Sequence, residues 1–477
     1  MECYLLNNKL IINGYVMVRN KVRENRYNWE CEKRIHRKTL ETHENCNARA
    51  TTDCVNGLHT LRGTPTDHNH APEAHRATVI DFRSDIKKRA HSTRDKPSQI
   101  LQEVVSNIPL SIQPYLPGPE AVRKIIKRRR RKSLPAEPTT LEDINIPESL
   151  RNTFAGELFL LRESQIENDK ILIFSTKFEI EKLVRAKFWI MDGTFKTVPN
   201  IFLQMYTIHA PVGGINSRIL PLVYVLMSSK NQKCYEHLFQ DLIEIGNNYG
   251  YELNPTCIIT DFEKAAINAI HNIFPECVQK GCFFHLAQNV WRKIQSCGLA
   301  TAYGTDEHFS LQLRYIPALA FLQPNEIITA FNEIKQYIPI EIYNWFDETY
   351  VNGKIRRTFR NGTISRSPPL FPPEFWSVSH NNELDIPRTQ NKVESWHKRW
   401  KTLIGADHIG CLHIVSEMKK EQMNTIGQIE LILSGEPKLR QHPKYAARKK
   451  RLNNIINDKG NRTLIDFLKG IAYNIKL

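Results

Sequence analysis

The sequence lacks an apolar run long enough to cross a bilayer: its longest, around Ile219 to Met227, contains Pro221 and falls far short of the roughly 20 residues of a spanning helix. A membrane partner is therefore not expected. The first residues, MECYLLNNKLIINGY, lack the basic flank and continuous apolar core of a secretory signal. A reducing compartment is the expectation, and the ten cysteines read as thiols or metal ligands rather than disulfides. No internal repeat or long low-complexity tract is evident, so a repeat architecture is not expected. Acidic residues are in deficit: 50 Asp and Glu against 66 Lys and Arg leave a formal charge of +16. That balance favours a polyanionic partner, nucleic acid first and an anionic membrane surface second.

What is present is ordinary globular material. With 477 residues, 41% apolar and 24% charged, the chain can build two or three domains with proper cores, and wholesale disorder is not expected. Residues 1–76 hold short β-like runs (Leu10 to Val18, Tyr27 to Cys31) and then a stretch crowded with Cys and His, which reads as a small β-rich module. Residues 77–150 read as a polar, Pro-punctuated linker around one basic helix, Glu120 to Lys132. From residue 151 to 405 the pattern is that of an α/β domain. Strands fit Phe188 to Thr197, Ile201 to Ala210, Ile219 to Met227, Thr256 to Thr260 and Val278 to Phe284; helices fit Tyr235 to Asn248, Glu263 to Asn272 and His285 to Ser296. An all-helical insertion is expected over about 298–385, then a helix from Gln390 to Leu403, then a helical basic tail over 406–477.

Cys31, Cys46, His68 and His70 offer two thiolates and two imidazoles, the mixture that tetrahedral structural zinc prefers. A module this small lacks the core to fold alone, and ligation would contribute on the order of 10 kcal/mol or more. His36, His43, Cys54, His59 and His75 are spare candidates, and a Cys/His-rich loop without metal is the bland alternative. Phe188-Trp189-Ile190-Met191 places Asp192 on a buried strand, and Cys257-Ile258-Ile259-Thr260 delivers Asp261 at the end of another. An acid there is costly unless paired or metal-bound. Each aspartate alone reads equally as a turn former or helix cap, and Asp261 could cap the helix near Glu263. Together with Glu394 on an amphipathic helix, they suit a site for two divalent ions and in-line phosphoryl transfer.

Tyr15, Tyr27-x-Trp29-x-Cys31, Cys46-x-Ala48-Arg49 and His68-Asn69-His70 resemble the FLYWCH zinc-finger family. The resemblance implies one zinc held by Cys31, Cys46, His68 and His70 and a role in DNA or partner binding. Asp192-Gly193-Thr194-Phe195, Thr260-Asp261-Phe262-Glu263, Gly281-Cys282-Phe283-Phe284-His285 and Asn391-x-x-Glu394-Ser395-Trp396-His397 occur in the order seen in Mutator-like (MULE) transposases. That resemblance implies an RNase H-like mixed sheet with a helical insertion and a triad of Asp192, Asp261 and Glu394 binding Mg²⁺ or Mn²⁺. It also places Cys282 and His285 in the transposase signature rather than in a second zinc site. Gln390-Asn391 stands where the family often has two asparagines.

Residues 123–132, Arg123, Lys124, Lys127, Arg128, Arg129, Arg130, Arg131 and Lys132 among them, carry eight cations in ten and no acid, which suits nuclear import or phosphate contact. The stretch Lys438 to Arg451 is a weaker second run. Three functional classes follow. The first is a nuclear DNA transposase, at least a homodimer on DNA, that cuts transposon terminal inverted repeats and joins them to target DNA. The second is a domesticated transposase-derived DNA-binding protein or transcription regulator without catalysis. The third is a cytoplasmic metalloprotein or protein-interaction scaffold.

Overall fold

The computed structural model describes residues 3–34, 45–55, 57–93, 95–131, 135–214, 217–360, 362–381, 386–387, 391–437 and 443–477. His36, His43, Lys132, Gln390 and residues 438–442 of the second basic run lie outside them. The chain forms two units, Met1–Ala136 and Glu137–Leu477.

In the first unit, β1 (Cys3–Leu6), β2 (Lys9–Ile12), β3 (Tyr15–Arg23), β4 (Arg26–Cys31), β5 (Arg49–Val55) and β6 (Leu58–Leu61) form an antiparallel meander in sequence order. The run read as one strand from Leu10 to Val18 is a hairpin. Asn13 and Gly14 both take positive φ (48° and 81°), the requirement of the tight turn whose twist matches paired strands. The sheet nearly closes, since Cys3 Sγ of β1 approaches His59 O of β6 at 3.9 Å.

The expectation of a polar linker with one helix over 77–150 needs correcting. Three α-helices occupy most of that segment's first part, up to Arg131: α1 (Arg76–Ser92), α2 (Pro97–Ser106) and α3 (Pro119–Arg131). Phe82, Ile86 and Ala90 of α1, Ile100 and Val104 of α2, and Val122 and Ile126 of α3 make a core of their own. Their spacing is helical, but α1 and α3 have long charged faces that lower their mean hydropathy and hide the stripe, and α2 is only ten residues long.

The second unit opens with α4 (Glu148–Arg151) and is built on a seven-stranded mixed sheet. Its strands are β7 (Leu160–Ile166), β8 (Asp169–Phe174), β9 (Trp189–Thr194), β10 (Gln204–Val212), β11 (Arg218–Met227), β12 (Cys257–Thr260) and β13 (Val278–Gly281), in the order β13-β12-β9-β10-β11-β8-β7. β9, β12 and β13 are parallel to one another, and the remaining pairings are antiparallel. The β7–β8 hairpin extends the sheet beyond the strands expected from sequence.

α5 (Lys177–Val184), α6 (Gln232–Asn248), α7 (Lys264–Ile273) and α8 (Phe283–Ser296) alternate with these strands. On one sheet face Trp189, Met191, Tyr206 and Val223 pack with Leu238, Phe239 and Leu242 of α6 and Ile270 of α7. On the other, Phe188, Ile190, Cys257 and Ile259 pack with Cys282 and Val393. Alternation along β9 and β12 thus assigns each residue to a face.

The insertion contains α9 (Ala300–Thr305), α10 (Glu307–Leu313), α11 (Tyr315–Ala318), α12 (Pro324–Glu333), α13 (Ile340–Phe346) and α14 (Pro373–Trp376). It is not all-helical, because β14 (Ile355–Thr358) and β15 (Ile364–Arg366) form a hairpin within it. α15 (Asn391–Ile404) follows, then α16 (Cys411–Leu433), α17 (Pro443–Asn457) and α18 (Leu464–Tyr473). These last helices are not a tail. Ile429 and Ile432 of α16 join the sheet core, and Phe467, Leu468 and Ile471 of α18 complete the core of the insertion around Phe331, Phe346 and Trp376.

α5 starts on a reciprocal cap in which the Glu179 amide donates to Thr176 Oγ1 (3.2 Å) and the Thr176 hydroxyl donates to Glu179 Oε2 (3.0 Å). Glu179 is nevertheless fully buried, and burial, only partly offset by Thr176, pushes its carboxyl from 4.5 to about 8. Its folded-state value is raised, so the stability it supports is complete below 4.5 and is lost as pH rises to about 8. Glu179→Gln keeps the cap and removes the titration. Urea unfolding from pH 4 to 9 is expected to give the two proteins matching stabilities at the acid end and to favour the variant by on the order of a few kcal/mol at the alkaline end. Equal slopes against pH would refute this.

Candidate zinc centre and carboxylate site

Cys31 ends β4, Cys46 precedes β5, and His68 and His70 lie in the segment after β6. Their ligand atoms all fall within 4.8 Å of one another, and both cysteines are buried. Cys31 Sγ is 3.2 Å from His70 Nε2, and Cys46 Sγ is 3.4 Å from His68 Nδ1. The ring of Tyr15 stacks on His68 at 3.8 Å, and its hydroxyl donates to His70 O at 3.0 Å. His70 Nδ1 lies 2.9 Å from Ala71 O, a contact that keeps the proton on Nδ1 and leaves Nε2 free to ligate. Burial, with the neighbouring Cys46 thiol adding to it, pushes Cys31 up to about 11. A buried dication would reverse that preference, and the donor set fits zinc.

Among the described spare candidates, His59 and His75 are engaged elsewhere. His59 Nδ1 lies 2.9 Å from Thr52 Oγ1, which also accepts from Trp29 Nε1, and His75 stacks on Tyr115 at 3.8 Å. Cys54 sits on β5 outside the cluster.

The carboxylate site is set by strand register. Ile190 of β9 pairs with Ile259 of β12 in the parallel part of the sheet, and Asp192 and Asp261 each lie two residues further on. Alternation returns both to the face that carries Ile190 and Ile259. Val393 of α15 packs on that same face and brings in Glu394 and, one turn later, His397. α15 is held by two tryptophans: Trp396 Nε1 donates to Glu421 of α16 (2.7 Å) and Trp400 Nε1 to Thr197 (3.2 Å).

The two aspartates differ in environment. Asp192 has a side chain 11% exposed, with Oδ2 3.3 Å from His397 Nε2 and Oδ1 accepting from the Gly193 amide at 2.8 Å. Burial works to raise its carboxyl, but His397, His285 and that amide together hold it below the ordinary carboxylate range. Asp261 is 47% exposed and accepts from the Phe262 amide, with His285 Nδ1 at 3.7 Å. It does not cap α7, whose capping residue is Glu263. Glu394 is pushed up to about 7, by burial first and then by the charge of Asp192, and its Oε1 is buried without a hydrogen-bond partner.

Three carboxylates on one face, with an orphaned acceptor and a proton held against a like charge, are a donor set suited to a hard divalent cation. The set is looser than the zinc cluster: among the described residues, only the four Cys and His ligands come together within 4.8 Å as a group of three or more.

Cys282 and His285 part company. Cys282 is buried in the apolar layer beside Val393, whereas His285 faces Asp261. Sequence reasoning assigned no role to His397 or His209. His209 is neutral, pushed down to about 3 by burial and then by His397; it lies 3.0 Å from Thr207 Oγ1, and that hydroxyl donates to Asp192 O. The i+3 spacing of Glu394 and His397 was the available signal for the first. The second, some 190 residues away from α15, had none.

The basic helix α3 presents Lys124, Lys127 and Arg128 on an exposed stripe, with Arg123 and Arg129 also exposed. Arg123 pairs with Glu120 at 2.5 Å. Arg130 belongs to the fold instead, donating to Ala90 O (3.3 Å), Thr93 O (3.1 Å) and Asp95 O (2.8 Å) at the end of α1.

Residues 188–289 match the family model of the MULE transposase domain, and residues 6–70 match that of the FLYWCH zinc finger domain. The first segment contains Asp192, Asp261, Cys282 and His285, and Glu394 lies beyond it; the second contains all four candidate zinc ligands. No curated protein matches the chain. The chain is thus transposase-related and carries a zinc-finger domain, and no helix among its described residues is long and apolar enough to cross a membrane.

Proposed function

We propose that the chain is a nuclear DNA transposase that cleaves transposon terminal inverted repeats and joins them to target DNA by metal-dependent phosphoryl transfer. The observation that carries this is the parallel register that sets Asp192 beside Asp261 under the helix bearing Glu394. The sheet supports an RNase H-like reading: three antiparallel strands, β9 to β11, flanked on the β9 side by parallel β12 and β13.

In this reading Asp192, Asp261 and Glu394 hold Mg²⁺ or Mn²⁺, which when bound supplies activation of the attacking hydroxyl and stabilisation of charge on the leaving oxygen. His397 orients Asp192, and His285 flanks Asp261. The buried apolar layer beneath them limits water to the exposed side of Asp261. No side chain serves as a covalent nucleophile; water and then a DNA 3′-hydroxyl attack phosphorus. Cutting two ends together calls for at least a dimer.

The test is Mg²⁺- or Mn²⁺-dependent nicking and joining of DNA from the flanks of the gene itself. Products establish the activity. Binding without products, given authentic ends and both metals, identifies a transposase-derived DNA-binding regulator instead.

The α3 stripe is the sequence-independent DNA contact, with the zinc finger as its companion. Lys124→Glu, Lys127→Glu and Arg128→Glu together are expected to flatten the plot of log affinity against log salt by about 0.9 per lost phosphate contact. Arg130→Ala is expected to leave that slope alone and to lower stability by roughly 1–3 kcal/mol, since it strands three carbonyls at the end of α1. An Arg130 variant with normal melting and a flatter slope would reverse the assignment.

A further inference from the structure

The hairpin inside the insertion was not foreseen from sequence, and neither the carboxylate site nor the zinc module uses it. From Lys354 to Arg366 it carries Lys354, Arg356, Arg357, Arg360 and Arg366 and no acidic residue. Every residue of β14 is exposed, and among the described residues none of Arg356, Arg357 and Arg360 has an ion-pair partner. A register shift between Ile355 and Arg357 bulges Arg356 out of the ladder, which adds twist. The tip is closed by Phe359 N donating to Thr363 O (2.8 Å), and the Arg357 guanidinium lies 5.1 Å from the centre of the exposed Phe359 ring.

A two-stranded ribbon is marginal by itself, so its anchoring is informative. Arg366 donates to Asp347 Oδ2 (2.8 Å) and to Gly353 O (2.7 Å), and the Ser367 amide donates to Lys354 O (2.9 Å). Gly353 has φ of 82°, and a β-carbon there would meet Ser367 O at 1.8 Å, so only glycine permits this approach. The base of the ribbon is also tied to the carboxylate site. Tyr350 and Phe371, on either side of the hairpin, contact the ring of Phe262 at 5.6 and 5.0 Å, and Phe262 is the residue after Asp261.

We propose that the Lys354 to Arg366 hairpin is a DNA-contacting ribbon that grips duplex phosphates beside the scissile bond, separately from the zinc finger and α3. The proposal rests on the transposase reading and adds a contact to it. A twisted, two-stranded basic ribbon is one of the elements whose width fits a DNA groove. Its fixed base would place those phosphates at a set distance from Asp261.

The experiment uses the full chain and a fluorescein-labelled DNA duplex of about 30 base pairs, with anisotropy titrations between roughly 50 and 300 mM KCl, a range over which phosphate contacts dominate the salt response. The variant is Arg356→Glu, Arg357→Glu and Arg360→Glu combined; a second exchanges the same three for lysine. The glutamate variant is expected to bind about tenfold or more weakly near 0.1 M salt and to lose about 2 to 3 units of slope, while the lysine variant keeps the slope. Unchanged melting for both shows that the fold is intact. A wild-type chain that binds the duplex alongside a glutamate variant with the same affinity and slope would overturn the proposal and direct the ribbon to an acidic protein surface. A wild-type chain with no salt-dependent binding would bring down the DNA reading itself, and the ribbon's role with it.

Discussion

Asp192→Ala is expected to lower metal-dependent strand cleavage by at least roughly three orders of magnitude, about 4 kcal/mol or more of transition-state stabilisation, with duplex binding unchanged. Asp192 is the most enclosed of the three acids and the one that faces both of the others' surroundings. His397 touches it, His285 lowers it electrostatically, and its charge raises Glu394. Its loss removes the group on which the other two converge. The elements proposed to contact DNA, by contrast, are α3, the finger and the ribbon, none of which contains Asp192. His397→Ala should behave differently. It acts through Asp192, and groups that orient a metal ligand typically contribute about 10- to 100-fold in affinity or rate. Cleavage should therefore persist at a reduced level and be partly recovered at higher metal concentration, which a ligand deletion does not allow. Wild-type cleavage rates in Asp192→Ala would sink the assignment. A His397→Ala protein as inactive as Asp192→Ala, at every metal concentration, would show that His397 is more than a positioning residue.

The two aspartates are legible because each ends a largely apolar run, an arrangement that burial makes costly without a partner. Their adjacency is not, since it depends on the pairing of Ile190 with Ile259, almost 70 residues apart. The strands missed were those at the surface. β7 carries Arg162, Glu163, Ser164 and Gln165 at the sheet edge, and β14 is exposed throughout, so neither shows the apolar alternation that marks a half-buried strand. From sequence α16 reads as part of a tail for a different reason: its buried face includes Glu421, Gln422 and Thr425, polar groups that blur the apolar stripe. Glu421 is there because Trp396 Nε1 and Arg399 require an acceptor. Of the histidines around Asp192, His397 carries a local signal in its i+3 spacing from Glu394, whereas the approach of His209 is a matter of tertiary contact that no local pattern announces. The four candidate zinc ligands are readable because chemistry restricts the atoms that can serve and the zinc-finger resemblance singles them out of nine; the structure adds that they converge and that His59 and His75 are otherwise engaged.

Removing zinc from the full chain is expected to unfold the β-rich module, and Cys46→Ala to do the same. The apolar core there comprises little more than Leu10, Ile12, Met17, Trp29, Ala48 and Ala50 around the two cysteines. A core of that size cannot offset the conformational entropy of six strands, whereas zinc ligation in comparable sites contributes about 10–16 kcal/mol at neutral pH. The thiols also couple the metal to protons. With Cys31 pushed up to about 11 by burial, binding must expel protons, and uptake should weaken as pH falls. Cobalt is the direct probe, because tetrahedral Cys and His ligation gives it visible absorption that vanishes when a ligand is lost. Cys46→Ala should abolish that absorption, while Cys54→Ala and His59→Ala should retain it, since both residues lie outside the cluster. After chelation, Mg²⁺ alone should not restore the module, because a hard cation is a poor match for thiolates, although the same Mg²⁺ suits the three carboxylates. A chain that binds no stoichiometric zinc, melts identically with and without chelator, and gives no cobalt spectrum would return the four residues to a metal-free loop.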